Sequence, residues 1–315
     1  MDFGLFNIQI SRNKTSSIAF DRGVTDLIKF VSCVMIAMHH FSQIRCIEGT
    51  GNALYFAFST QGGYLGVAIF FFLSGYGLMK SEQQRHLSPF SFLKRRLIKT
   101  YIPAVVVSII WAVYMLFAFA KPIDINLLRG VVWNFNDEVL WFVRAIICLY
   151  ILFLVYCHIS RFKIISLITL GIIAVWCTDV GLVHGASIFM FFGGVSIAEH
   201  GHVWWSFMHK WATIVAAFIC IALFCVLFER DALVLHLLFD VSFIFIFVAS
   251  MSYFHVRITG LPRCISSCSY DIYLVHNKAL IILRSFGAII PLWQFAGLSF
   301  LFTIVFYNLR KFLKL

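Results

Sequence analysis

Four ionisable side chains fall within the first strongly apolar segment of the chain. The stretch TDLIKFVSCVMIAMHHF carries Asp26, Lys29, His39 and His40. On an α-helix, the eleven-residue spacing of Lys29 and His40 is three turns plus about 20°, so both lie on one face about 16 Å apart. Asp26 lies near that face, whereas His39 points about 80–100° away. Because neutral imidazole can accept a proton near neutral pH, this face is a candidate for acid–base chemistry.

The same residues also have a packing interpretation. Lys29 could extend its ammonium to the headgroups, and a membrane histidine often forms only a hydrogen bond between helices. Ionisable groups at bilayer depth are costly, however, and usually face the protein interior or a wet cavity. The position of Lys29 and His40 on one face therefore favours a functional role for these two residues. A structural role fits His39 better.

The composition indicates the setting of this helix. Of 315 residues, 61% are hydrophobic and only 12% are charged, and the mean hydropathy is +0.92. These values exclude a soluble globule. We predict an all-α, multi-pass integral membrane protein without a separate soluble domain, with about ten spans. The apolar segments lie near 23–44, 62–80, 99–120, 139–157, 163–179, 184–199, 211–228, 233–254, 269–286 and 290–309.

The basic residues predict the orientation. The net charge of +11 sits mostly beside apolar segments, which indicates membrane topology rather than nucleic-acid binding. With both termini in the cytoplasm, seventeen Lys and Arg residues lie at cytoplasmic ends and loops, and four lie outside: Arg45, Lys121, Arg129 and Arg230. We therefore expect residues 1–22 to be a cytoplasmic N-terminal segment, and these residues lack the apolar core of a removable signal peptide.

Two further motifs accompany the first helix. The segment GGYLGVAIFFFLSGYGLMK contains Ser74 among small residues that allow close helix packing. The segment FLKRRLIKTYIP places Arg95, Arg96 and Lys99 on one helical face. Two explanations of this basic face are equally good: positively charged residues on the cytoplasmic side of a membrane, or a phosphate-binding site. The second is supported by the planar guanidinium group of arginine, which matches phosphate oxygens.

Other positions carry weaker signals. Trp141 and Arg144 in LWFVRA could form a cation–π or carboxylate contact, although Trp often anchors a helix end at the interface. The histidines of the segment 200–209 lack a matching carboxylate or cysteine set, so we predict no metal. Near the end, SYDIYLVHNK adds polar residues to an apolar segment: Tyr270, Asp271, Tyr273, His276 and Lys278.

Taken together and in this order, these motifs resemble the acyltransferase-3 family of polytopic membrane acyltransferases. The resemblance rests on Asp26, Lys29 and His40, then FFLSGYG, KRRLIKTYIP, LWFVRAIICLY and SYDIYLVH. It covers nearly the whole chain. The family usually has Arg at the position of Lys29, so this chain keeps the charge there but loses bidentate phosphate recognition.

The resemblance implies transfer of an acyl group, most often acetyl, from cytoplasmic acyl-CoA to a sugar hydroxyl of a cell-surface polysaccharide or lipid-linked glycan. It implies that His40 is the essential histidine and that Arg95, Arg96 and Lys99 hold the acyl-CoA. We expect a bacterial inner-membrane enzyme, with acyl-CoA as donor substrate, no metal and no nucleic acid. Further residues are expected near the substrate or beside the catalytic pair: Asp26, Ser74, Asp137, Glu138, Trp141, Arg144, Tyr273 and His276.

Two questions stay open at this point. The hydroxyl could attack the thioester directly with His40 as general base, or the reaction could pass through an acylated histidine. A transporter or flippase for a lipid-linked sugar, which makes no bond, is the main alternative, and a non-catalytic partner of a polysaccharide assembly complex is another. Inverted repeats and Gly/Pro-broken helices are typical of transporters, and the chain shows no repeat that would favour one.

Overall fold

The computed structural model describes residues 7–12, 20–85, 88–119, 124–134, 138–158, 163–178, 182–207, 210–227, 233–259, 263–287 and 289–315. Within these ranges the chain is almost entirely helical, which confirms the all-α prediction apart from one two-stranded ribbon. The elements in chain order are β1 (Asn7–Arg12), α1 (Arg22–Ile47), α2 (Ala53–Ala57), α3 (Gly63–Arg85), α4 (Pro89–Arg96), α5 (Ile102–Phe119), α6 (Ile125–Arg129), α7 (Trp141–His158), α8 (Lys163–Thr178), α9 (Leu182–Phe207), α10 (Lys210–Leu227), α11 (Leu233–Tyr253), β2 (Phe254–Thr259), α12 (Arg263–Ser285) and α13 (Leu292–Phe312).

Each of the ten apolar segments coincides with a long helix. Within the described residues, six helical segments are long and apolar enough to cross a membrane, and the count of about ten spans is not confirmed. These six are Arg22–Ile47, Ala53–Arg85, Pro89–Ala118, Trp141–His158, Val234–Tyr253 and Leu292–Phe312. Polar residues lower the apolarity of α12 in particular, since its sequence RCISSCSYDIYLVHNK mixes polar and apolar positions.

Three short π-helical segments interrupt the α-helical path. Phe58–Gly62 joins α2 to α3, Leu97–Tyr101 joins α4 to α5, and Gly130–Asn134 follows α6. A π turn is wider than an α turn and is often found at functional sites. The first two lie inside helical segments long enough to cross a membrane, Ala53–Arg85 and Pro89–Ala118, which therefore continue without a break but with a local change of register.

The chain divides into two compact units. The first contains residues 1–86 and 180–269, and the second contains residues 87–179 and 270–315. In the first unit, α3 packs against α1 and α9, while α11 packs against α9 and α10. In the second unit, α7 packs against α4 and α8, and α5 packs against the π segment that follows α6.

The β ribbon is the element that the sequence analysis did not predict. Strands β1 and β2 pair antiparallel from Asn7 opposite Thr259 to Arg12 opposite Phe254. This register sets Ile8 opposite Ile258 and Ile10 opposite Val256, and such β-branched pairs stabilise a ribbon. The predicted N-terminal segment 1–22 therefore contains a strand, whose partner β2 packs against α1.

The packing of α3 against α9 in the first unit depends on two glycines. A Cβ added at Gly75 would collide with the carbonyl oxygen of Phe191, and one added at Gly194 would collide with the carbonyl oxygen of Phe72. The two backbones are therefore in direct contact, as in other membrane helix pairs with small residues at the crossing. The FFLSGYG motif supplies one of the two glycines.

A kink in α9 is stabilised by side chains of α3. Non-helical backbone at His200 interrupts α9, and the nearby carbonyl oxygen of Ala198 accepts hydrogen bonds from Lys80 Nζ at 3.0 Å and from Gln83 Nε2 at 3.2 Å. A kink exposes carbonyl groups that must find new donors. The two side chains at the end of α3 supply them.

We expect Gly75→Ala and Gly194→Ala each to destabilise the protein by about 1–3 kcal/mol, because the added methyl group forces the two backbones apart. Gly77→Ala on α3 and Gly193→Ala on α9 are matched controls, since a Cβ at either position meets nothing within 4 Å. Melting temperatures in detergent measure the effect. Equal losses for all four variants would show that helix propensity, not the close crossing, controls stability.

Candidate functional site

The face of α1 that was predicted to carry Asp26, Lys29 and His40 lies on one uninterrupted helix. Asp21 begins this helix, and its Oδ1 accepts a hydrogen bond from Gly23 N at 2.9 Å. Asp26, Lys29 and His40 are all partly buried, and the eleven-residue spacing corresponds to a rise of about 16 Å. Asp26 also lies 3.9 Å from Arg22 in an ion pair one turn apart. The structure therefore has the continuous helix that the spacing argument for Lys29 and His40 assumed.

The two adjacent histidines have different surroundings. His39 is buried, and its Nδ1 lies 2.8 Å from the carbonyl oxygen of Phe58 in the first π segment. Its ring packs so closely on α3 that a Cβ at Gly63 would come within 2.6 Å of it. These contacts give His39 a structural role in joining α1 to the start of α3.

One polar contact of His40 lies within α1. Its Nδ1 lies 3.2 Å from Oε1 of Gln43. If Nδ1 donates to this amide oxygen, Nε2 holds the lone pair of a neutral imidazole. This is the tautomer in which Nε2 can accept a proton.

A second polar cluster in the first unit involves residues that the sequence analysis missed. Asp240 on α11 is fully buried, and its Oδ2 accepts a hydrogen bond from Ser187 Oγ at 3.0 Å. One turn earlier, the buried ring of His236 lies 4.6 Å from that of Tyr64, whose ring lies 5.8 Å from that of His39. The cluster therefore connects α11 to the histidine pair of α1 through aromatic contacts. The signal was present, because His236 and Asp240 are ionisable residues in the apolar run LVLHLLFDVSF.

Ser74 bonds to its own helix. Its Oγ donates to the carbonyl oxygen of Phe70 at 2.8 Å, a backbone interaction that bends helices slightly.

The basic motif of the second unit lies where α4 passes into a π segment. Arg95 and Lys99 are exposed, and Arg95 Nε donates to the carbonyl oxygen of Ser91 at 3.1 Å. Arg96 is partly buried, with its Cζ 5.6 Å from the ring centre of Phe92 and 5.4 Å from that of Tyr150. The rings hold the guanidinium of Arg96 in place by cation–π interactions. The motif thus offers two exposed cations and one oriented guanidinium.

The start of α7 holds the next candidates. Trp141 is the first residue of this helix and Arg144 lies one turn on, both partly buried. Asp137 lies outside the described residues. Glu138 begins a short 3-10 turn, and its side chain lies outside the described part of the chain.

The candidates on α12 connect this helix to its neighbours in the second unit. Tyr273 donates from its hydroxyl to the carbonyl oxygen of Val139 at 2.6 Å, and Tyr270 donates to that of Thr100 at 2.6 Å. His276 is fully buried and its Nδ1 lies 2.8 Å from the carbonyl oxygen of Tyr273. Asp271 Oδ2 accepts from Arg310 Nη2 at 2.9 Å. Much of the SYDIYLVH motif therefore forms contacts that position α12.

Among the described residues, no group of three or more His, Cys, Asp or Glu side chains is arranged to hold a metal ion. The chemistry available to the described residues is that of imidazole, carboxylate, hydroxyl and basic groups. On one helix, the first unit offers the imidazole of His40 and the amino group of Lys29. The second unit offers the exposed basic motif.

Helices that can cross a membrane, with ionisable groups along their apolar segments, define a membrane protein with a polar site. The family comparison identifies its class: the acyltransferase domain of the acyltransferase-3 family matches residues 25–309. The chain belongs to this family of membrane acyltransferases, which confirms the resemblance seen in its motifs. No curated protein and no solved structure matches the chain.

We expect Arg310→Gln to lower the free energy of unfolding by about 3–5 kcal/mol, because it leaves the buried Asp271 uncompensated, and Asp271→Asn to lower it by less, because Arg310 is only partly buried. The double variant should lose less than the sum, as expected for coupled partners. Arg284→Gln is a matched control for an exposed arginine at the end of the same helix. Unfolding in detergent measures all four variants, and additive losses would contradict the coupling.

Proposed function

We propose that this acyltransferase moves an acyl group, in the first instance acetyl, from acyl-CoA to a sugar hydroxyl of a cell-surface polysaccharide or lipid-linked glycan. The observation that carries the proposal is the contact of His40 Nδ1 with Gln43 Oε1 at 3.2 Å in a chain of this family, because with Nδ1 as the donor Nε2 keeps the lone pair that a base needs. Coenzyme A and the glycan acceptor are the proposed ligands. The protein works from a bacterial inner membrane with both termini in the cytoplasm.

His40 acts as the general base. The sugar hydroxyl attacks the thioester carbonyl carbon while Nε2 takes its proton, which gives a tetrahedral intermediate and an imidazolium. The carbon–sulfur bond then breaks, the ester is released, and the leaving thiolate takes the proton back from the imidazolium. Each proton and electron pair is accounted for without a metal.

Lys29 supplies positive charge on the same helix. Its ammonium serves the donor as a point charge, in the place where the family usually has a guanidinium. Asp26 lies one turn before it and is proposed to position this ammonium. A point charge tolerates more than one orientation of the donor, whereas a guanidinium fork would hold phosphate oxygens in one plane.

Arg95, Arg96 and Lys99 hold the phosphates of the donor. Two of these cations are exposed and the third is oriented by the rings of Phe92 and Tyr150. Such an arrangement suits a ligand with several phosphate groups, because one fixed guanidinium can set the orientation while mobile cations add charge. Trp141, Arg144, Tyr273 and His276 are proposed to act around the substrate or in support of it.

We expect His40→Ala to lower kcat/KM for acetyl transfer by 10²–10⁴-fold, the usual contribution of a general base. Purified protein in nanodiscs with labelled acetyl-CoA and candidate glycan acceptors provides the assay. His158→Ala is the matched control, because His158 is an exposed histidine at the end of α7. An unchanged rate of acetyl transfer in His40→Ala would show that His40 is not the general base. Acceptor translocation without thioester cleavage would favour the transporter alternative instead.

We expect Arg95→Gln combined with Lys99→Gln to raise KM for acetyl-CoA at least tenfold with little change in kcat, because charge-assisted hydrogen bonds contribute about 1.5–3 kcal/mol each. The wild-type KM should rise with salt, and this dependence should weaken in the variant. Arg85→Gln removes an exposed charge outside the motif and serves as control. An unchanged KM would assign the motif to membrane topology alone.

A further inference from the structure

The ribbon of β1 and β2 has one apolar face and one polar face. In an antiparallel pair, opposite residues lie on the same face and successive residues alternate between the faces. The register therefore puts positions 8, 10 and 12 of β1 on one face with positions 254, 256 and 258 of β2. The described side chains of this face are apolar: Ile8, Ile10, Phe254, Val256 and Ile258. The described side chains of the opposite face are polar: Asn7, Gln9, Ser11, Arg257 and Thr259.

The first unit covers only part of the apolar face. Strand β2 packs against α1 and α11, and the approach to α1 is close, since a Cβ at Gly23 would collide with the carbonyl oxygen of Ile258. Ile258 is accordingly 8% exposed, whereas Ile8, Ile10 and Phe254 are 47%, 65% and 52% exposed. Three large apolar side chains of one face are therefore left for another partner to cover.

The helices beside the ribbon show where this face lies. Strand β2 begins at Phe254, directly after α11 ends at Tyr253, and the ribbon touches α1 at its first turn, where Gly23 meets Ile258. Both α1 and the segment Val234–Tyr253 of α11 are long and apolar enough to cross a membrane. The ribbon therefore lies where two such helices leave the bilayer. The face that packs on these helices is directed towards the bilayer.

The outer edge of β1 limits how deep the ribbon can lie. Within the described residues the sheet has two strands, so every second residue of β1 turns its N–H and C=O groups away from β2. Such groups cannot be left without partners in hydrocarbon, but water and headgroups supply partners at the membrane surface. The exposed guanidinium groups of Arg22 and Arg257 lie at the same end of the helices and suit the phosphate oxygens of phospholipids.

We propose that the ribbon binds the phospholipid surface, with Ile8, Ile10 and Phe254 inserted at the boundary between headgroups and acyl chains and the polar face in water. Amphipathic elements bind membranes at this depth. A two-stranded ribbon is only marginally stable in water, and lipid contact supplies apolar burial that α1 and α11 do not. This surface is separate from the proposed transfer reaction and does not depend on it.

Photo-crosslinking at four successive positions of β1 tests the proposal. The photoreactive amino acid p-benzoylphenylalanine replaces Ile8, Gln9, Ile10 or Ser11 in separate variants of the full chain, all four residues being exposed. Each variant is irradiated in nanodiscs that contain radiolabelled phospholipid. Positions 8 and 10 should label lipid roughly tenfold more than positions 9 and 11, because only one face of the ribbon touches the membrane. Positions 9 and 11 are the matched controls on the same strand.

Three results would overturn the proposal. Equal lipid labelling at all four positions would show incidental contact, and no labelling at positions 8 and 10 would show that the apolar face lies in water. A covalent dimer instead of a lipid adduct would show that the strand pairs with a second copy of the chain. Two positions report on each face, so a variant that fails to fold leaves a second. Because no acetyl-CoA or glycan is present, the results do not depend on the transfer assays.

Discussion

The need to satisfy backbone polar groups inside a membrane is the constraint on which the structure depends. The three π segments meet it in a common way, since one carbonyl oxygen in each accepts a hydrogen bond from a side chain. The donors are His39 to Phe58, Tyr270 to Thr100, and Tyr101 to Val132. A carbonyl oxygen has two lone pairs, so it can accept a side-chain donor in addition to a helical bond. The wide turns thus become attachment points for side chains of other helical segments.

The sequence predicted the helices well because their cause is local. Hydropathy acts over about 20 residues, and every predicted apolar segment falls on a long helix. The number of helices that cross the membrane was harder to predict from the sequence, because α12 is helical but contains many polar residues. The ribbon was missed for a different reason. The pairing of Ile8 with Ile258 and Ile10 with Val256 joins segments almost 250 residues apart, and neither strand carries a local signal stronger than short alternation.

The same distinction applies to the candidate site. The relation between Lys29 and His40 could be predicted because both lie on one helix, where spacing alone fixes the geometry. The tertiary partners could not be predicted. Ser187 bonds to Asp240 and Arg310 to Asp271 across separate helices, and nothing in a single sequence states which helices are neighbours. The individual signal for Asp240 was nevertheless present as a carboxyl group in an apolar segment.

The buried polar groups of the two units indicate how structure and chemistry can be told apart. Asp271 Oδ2 accepts a hydrogen bond from Arg310, and Asp240 Oδ2 accepts one from Ser187, so the fold gives each carboxyl group a protein partner. The hydroxyls of Tyr273 and Tyr270 likewise donate hydrogen bonds to backbone carbonyl oxygens. The contact between His40 and Gln43 lies within one helix and orients the ring of His40. This bond orients the ring of the residue that we propose as the base. His39, with its bond to Phe58 and its close contact with Gly63, is the opposite case one residue away.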